Sequence, residues 1–176
     1  AHAMAKQRRA VPPEIEADGP AGEAARAALG RATYDLNVQQ YAAAGLNFGY
    51  YYDDSPLIAY DGAAHPPYSM GAFEPSTVPG CRTPHVWLAG GRSLYDVHGD
   101  GYALLRLDPS LDPGPLLTAA AERGVPLRLI DLAPVEAGGV YTTRLLLSRP
   151  DRHVAWRGDA LPRDVVGLVE RVSGVG

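Results

Sequence analysis

A single cysteine, Cys81, excludes an internal disulfide and any CxxC pair, so the chain holds no dithiol for thioredoxin-type redox chemistry. One thiol suits a reducing compartment, and a cytoplasmic location is the expectation. Long apolar runs are missing too. The longest, such as residues 57–60 and 86–89, fall far short of the roughly 20 residues that a membrane-spanning helix needs. Neither charge sign dominates: 16 Lys and Arg face 20 Asp and Glu, the net charge is −4, and the basic residues are scattered. That pattern carries no electrostatic footprint for nucleic acid or anionic lipid and leaves a small molecule or a protein as the partner to expect. The opening AHAMA has no secretory apolar region and reads as a cloning remnant, set aside from the fold.

What is present suffices for one core. With 46% hydrophobic content in 176 residues, a domain of this size hides roughly 70% of its unfolded surface. Residues 6–20 mix charges with Pro12, Pro13, Gly19 and Pro20 and show no apolar period, which predicts a disordered or loosely packed, flexible arm. Residues 21–44 are alanine-rich and free of proline, which predicts a helix ended by Gly45 as its C′ residue. Leu29, Ala32, Leu36, Gln39 or Gln40 and Ala43 give it a modest apolar stripe. The runs 46–52 and 56–60, separated by Asp53, Asp54 and Ser55, predict a hairpin of two short strands. Residues 61–84, punctuated by Pro66, Pro67, Pro75, Pro79 and Pro84, predict a long irregular connection, where function or an interface tends to sit.

From residue 85 the pattern becomes α/β. Strands are expected at 85–88, 102–107, 127–132, 140–147 and 153–156, with a turn or short helix at 93–98 and helices at 114–123 and 162–172, the last capped by Asp159. Strand, ten-residue helix, strand is a βαβ crossover, and Arg149, Pro150 and Asp151 form a turn that favours an antiparallel hairpin. The order β, α, β, then β, β, α is the thioredoxin arrangement. The fold class is therefore α/β: a thioredoxin-like mixed sheet flanked by helices, with an N-terminal helical extension and a long Pro/Gly-rich loop.

Three stretches carry a family pattern: PSTVPGCRTPHVWL at 75–88, LYDVHGDGYALLRL at 94–107 and RPDRHVAWRG at 149–158. Their Pro-Ser, Pro-Gly, Arg and Pro-His steps, the Leu-Tyr-Asp before a strand and the Val-Ala-Trp-Arg strand resemble the C-terminal domain of the flavin-dependent aromatic-ring hydroxylases, the phenol hydroxylase and 3-(3-hydroxyphenyl)propionate hydroxylase group. The likeness runs from about residue 30 to 172. It implies a thioredoxin-like domain without the cysteine pair, associated with oligomer contacts, in a parent that uses FAD, NAD(P)H and dioxygen on a phenolic substrate. It also implies a division into an arm at 1–20, the end of a flavin domain at 21–72 and the thioredoxin-like domain at 73–176. The partners implied are the flavin domain, in the same or a separate chain, and a second copy.

The resemblance brings no catalytic, cofactor-binding or metal residue with it. Residues 61–67 read DGAAHPP, close to a flavin-contacting GDAAH segment, but a Gly separates Asp61 from the Ala-Ala-His, and no GxGxxG fingerprint stands upstream. A solvent-exposed turn is the reading adopted, with FAD and NAD(P)H assigned to the parent alone. Arg82, with five donors, is expected to pair with Asp96 or Asp100 or with loop carbonyls, or else to reach a partner domain. Tyr95 and Asp96 are expected to fix the turn by hydrogen bonds. Asp96, His98 and Asp100 alternate as metal ligands would, and also as turn and cap residues do. Cys81 beside Arg82 is read as an ordinary thiol, and Ser69, Ser76 and Ser93 sit in no GxSxG elbow. Trp156 is a core or interface anchor, and Arg149, Arg152 and Arg157 are candidates for salt links across the sheet edge or for a dimer contact. Three functions remain: an accessory and oligomerisation domain of a flavoprotein monooxygenase, inert alone; a free-standing binding or dimerisation module; and a small enzyme built on the Asp96, His98, Asp100 turn or on Cys81.

Overall fold

The computed structural model describes residues 11–41 and 43–175, so AHAMA and the first part of the expected arm lie outside it. Within the rest of the arm the backbone turns back on the helix that follows. Pro13–Glu16 forms a 3-10 turn, and Arg26 Nη1 donates to Ile15 O and Ala17 O at 2.9 and 3.1 Å, holding the turn on helix α1 (Gly19–Tyr41). A guanidinium that satisfies turn carbonyls does what the missing apolar period could not. Along α1 the expected stripe is thin: Leu36 is buried and Leu29 half-buried, whereas Ala32 is exposed. Tyr34, Val38 and Tyr41 stand 69, 40 and 74% exposed.

Gly45 does not follow the helix as a C′ residue; it lies inside a second short helix, α2 (Ala44–Phe48). A Cβ there would run into Ser69 O and Ala72 O, so glycine serves the close approach of that loop. The hairpin expected over 46–60 is absent. Residues 46–48 are helical and 49–60 irregular, because this backbone bonds singly to the rest of the molecule: Tyr52 N donates to Gly80 O at 3.0 Å, and Ala59 N to Ala155 O at 2.8 Å. The 61–84 connection is irregular as expected, its one ladder contact being an isolated bridge between Arg82 and His153.

Beyond it, β1 (Trp87–Leu88) and β2 (Arg92–Ser93) make a small antiparallel hairpin whose turn carries Gly90 and Gly91 at φ 75° and 73°, values that favour glycine. Helix α3 (Leu94–His98) starts at Ser93, whose Oγ accepts from Tyr95 N. The main sheet holds β3 (Tyr102–Arg106), β4 (Leu127–Asp131), β5 (Leu145–Ser148) and β6 (Val154–Gly158) in the order β4-β3-β5-β6. β4 runs parallel to β3 through the crossover helix α4 (Gly114–Glu122), and β5 and β6 are antiparallel to their neighbours. Helix α5 (Val165–Ser173) closes the order, capped by Asp164, which accepts from Gly167 N at 2.8 Å; the expected cap, Asp159, instead accepts from Arg144 N.

Strand alternation sorts two cores. Leu104, Leu145, Leu147 and Ala155 face α4 and α5, meeting Leu116, Ala119, Ala120, Leu168, Val169 and Val172. Ala103, Leu105, Leu146 and Val154 face the other way, onto Leu88, Leu94, Ile130, Leu132 and Tyr141. With both faces covered, all four residues of β5 are buried, which is why its sequence is an unbroken Leu-Leu-Leu-Ser rather than an alternation.

Candidate functional site

The Pro/Gly-rich connection ends in a turn that brings Arg82 between two short helices. Gly80, at φ 99°, lets the chain pass Tyr52 O, where a Cβ would collide. Arg82 then sets its guanidinium 5.6 Å from the Phe48 ring centre on α2 and 5.3 Å from that of Tyr95 on α3, and its Nε donates to Tyr95 Oη at 3.3 Å. Tyr95 Oη donates onward to Thr83 O at 2.6 Å. Arg82 thus meets aromatic rings, and Asp96 and Asp100, two of the partners expected for it, are both exposed. Phe48, Phe73, Arg82, His85 and Tyr95 line a cleft of about 380 Å3. Phe48 and Phe73, the chain's two phenylalanines, meet there with ring centres 6.0 Å apart.

Behind this cleft lies a buried polar chain. His98 Nε2 is 3.0 Å from Ser148 Oγ, which is 2.8 Å from Thr83 Oγ1, and all three residues are buried. His98 Nδ1 is 3.1 Å from Gly99 O, so the ring donates there and Nε2 accepts from Ser148. Burial pushes the His98 pKa down, and the nearby Arg152 and Arg128 charges push the same way. This is a neutral imidazole in a satisfied network, with Ser148 shut away from solvent. Asp96 and Asp100 do not converge on it, and among the described residues no group of three or more His, Cys, Asp or Glu could hold a metal ion. Cys81 is buried, and its burial raises the thiol pKa despite a hydrogen bond with Ser76, the opposite of an activated thiolate.

At the β5–β6 turn, Arg149 pairs with Asp151 at 3.1 Å while its guanidinium sits 5.8 Å from the Tyr52 ring centre. Burial works against the Asp151 charge, yet hydrogen bonds from His153 and Arg149 prevail and hold its pKa well below the usual carboxylate range. His153 is buried against the Tyr50 and Tyr52 rings, with Nδ1 on Asp151 O at 3.2 Å. Arg152 takes φ 64° and donates to Tyr95 O at 3.1 Å. Arg157 pairs with Asp61 at 2.7 Å and donates to Thr77 Oγ1 at 3.0 Å, so both Arg149 and Arg157 find their carboxylates within this chain. Trp156 is half-buried against the helix-side core. In DGAAHPP, residues 61–64 are exposed, Asp61 accepts from Ala63 N, and His65 stacks on Tyr51 at 4.2 Å with Nε2 on Pro79 O at 2.9 Å. Sequence reasoning missed Phe48 as a partner of Arg82, and Phe73 and His85 as walls of the same cleft; the scarcity of phenylalanine was the one signal available.

A βαβ unit followed by β, β and α, with one cysteine in the whole chain, defines a thioredoxin-like domain without a redox pair. The family described as aromatic-ring hydroxylase, C-terminal, matches residues 76–174, and the chain belongs to that family. Phenol 2-monooxygenase of Pseudomonas sp. (strain EST1001) is 29% identical over 166 residues, covering 84% of this chain and 27% of that protein. An FAD-dependent monooxygenase of Penicillium oxalicum is 32% identical over 112 residues, 60% of this chain and 21% of the relative. Among solved structures, the rebeccamycin biosynthetic enzyme RebC with reduced flavin superposes with a TM-score of 0.83 at 34% identity, over 100% of this chain and 33% of that one. The chain spans between a fifth and a third of the length of these relatives. Among the described residues, no helix is long and apolar enough to cross a membrane.

Proposed function

We propose that the chain is the assembly domain of an FAD-dependent aromatic monooxygenase: it docks on a flavin-bearing body and supplies oligomer contacts, without holding flavin or performing chemistry itself. The observation that carries this is the bareness of α1. The sheet has helices on one face and the hairpin, α3 and the 133–141 turns on the other, whereas α1 presents Tyr34, Val38 and Tyr41 to solvent along 23 residues. A helix this sparsely packed gains its stability from a partner. Relatives several times longer, one named an FAD-dependent monooxygenase and one a phenol 2-monooxygenase, supply the kind of partner and suggest a phenolic substrate for the whole.

The residues present do not suit a flavin. A pyrophosphate cradle needs free N–H groups at a helix start and no competing carboxylates. Between β3 and α4 stand Asp108 and Asp112, and Pro113 offers no N–H. Hydrogen bonds from Ser110 and Arg144 hold the Asp108 pKa down to about 2, so that carboxylate is charged in any ordinary buffer. In DGAAHPP, Asp61 and His65 are committed to Arg157 and Tyr51. Flavin chemistry therefore falls to the rest of the enzyme. Light scattering on the purified chain, with absorbance after FAD addition and gel filtration, tests the reading. A defined oligomer without retained flavin is expected; retention of FAD, or a strict monomer at every concentration, would sink it.

A further inference from the structure

We propose that the cleft walled by Phe48, Phe73, His85 and Tyr95 is a binding site for a small planar aromatic carboxylate, with Arg82 as its anchor. Its volume of about 380 Å3 lies at the lower end of the range for small-molecule pockets and admits one or two rings. Three of its five lining residues are Phe or Tyr, and no acidic residue lines it, so the Arg82 charge faces no carboxylate within the cleft. Arg82 spends only Nε, on Tyr95 Oη; its two terminal nitrogens make no hydrogen bond to a described residue. A guanidinium with an open fork between apolar walls selects a carboxylate in bidentate geometry, and the ring faces select a flat hydrocarbon body behind it. A neutral phenol would leave the fork unmet, and an aliphatic acid would leave the walls bare. The site is separate from the assembly role of α1: it needs neither flavin nor a second protein.

The test is an amide-resolved NMR titration of the full chain at pH 7.5 with 4-hydroxybenzoate as the probe, and with benzamide and acetate as controls. Saturable shifts at residues 48, 73, 82, 85 and 95 are expected, with a Kd of about 1 mM for a ligand of ten heavy atoms. Benzamide and acetate should each bind at least about tenfold more weakly, since each lacks one half of the recognition. Arg82→Gln should weaken 4-hydroxybenzoate by about tenfold or more and Arg82→Lys by less, because lysine keeps the charge and loses the fork. The wild-type shift map decides the matter even if a variant fails to fold. No saturation at 20 mM, equal binding of benzamide, or shifts centred elsewhere would overturn the proposal; the first of these would leave the cleft to a carboxylate side chain of a protein partner.

Discussion

Residues 76–174 and residues 11–75 solve the burial problem in opposite ways. In the first region every residue from 103 to 105 and from 145 to 148 is at most 2% exposed, and two helices and a hairpin are held on one sheet. In the second, Leu36 and Ile58 are the large apolar side chains that are buried, while Tyr34, Val38, Tyr41, Leu46, Phe48, Tyr50, Tyr52, Tyr60, Tyr68 and Met70 are exposed. One region closes its own core; the other leaves most of its large apolar side chains in solvent. The family match covers the first of these regions, whereas the likeness to a much longer enzyme extends over both.

The sharpest way to break the comparison is to empty the closed core. Leu104→Ala removes a fully buried side chain between β3 and the helices α4 and α5, and a loss of about 3 kcal/mol is expected in urea unfolding followed by far-UV circular dichroism. A loss under about 1 kcal/mol would mean that the sheet does not carry the stability assigned to it. Gly80→Ala attacks the seam between the regions. It places a side chain at φ 99° and against Tyr52 O, so the 49–60 segment must move; a cost of about 2 kcal/mol is expected, together with a rise in Tyr52 exposure by fluorescence quenching.

The buried polar chain gives a smaller effect with a pH signature. Ser148→Ala leaves His98 Nε2 and Thr83 Oγ1 without their shared partner, which costs about 1–2 kcal/mol. Burial lowers the His98 pKa, so below its ordinary value of 6.5 the unfolded chain takes up the proton first. Stability is therefore full above pH 6.5 and falls as pH drops from there through the folded value. Asp151 acts with the same sign in a separate window: its pairing is present above 3.8 and lost as pH falls below it. Tm measured from pH 7.5 to 5.5 should decline, and His98→Leu should flatten that limb. An unchanged slope would place the titration elsewhere.

How much of this could be read from the residues differs in the same way between the two regions. The closed region was legible because its signals are local and strong: a run of apolar residues for β3 and β5, alanines and leucines between Pro113 and Gly124 for α4, and a Pro-Asp turn for the β5–β6 hairpin. Two-residue strands such as β2 carry too little sequence to show. In the open region the aromatic run at 50–52 has the propensity of a strand, but its Tyr52 N–H is spent on Gly80 O, a tertiary choice that no local pattern encodes. Arg82 failed for a related reason. The fold brings it the rings of Phe48 and Tyr95, 34 residues before it and 13 after, a pairing that no local pattern encodes.

The smallest expected effect separates the two regions most cleanly. Tyr34→Ser with Val38→Ser removes apolar surface from an exposed stretch of α1, so the unfolding free energy of the purified chain should change by no more than about 0.5 kcal/mol per substitution. If this face is made to be covered, the same pair should shift the association equilibrium far more, since interface anchors of this size are worth about 1–2 kcal/mol each when buried. Sedimentation equilibrium of wild type and double variant would show a dissociation constant raised by at least tenfold against nearly equal urea midpoints. Equal association would mean that Tyr34 and Val38 tolerate solvent as ordinary surface residues, and the contrast between a closed and a waiting half of the molecule would have to be rebuilt on Leu46, Tyr68 and Met70 instead.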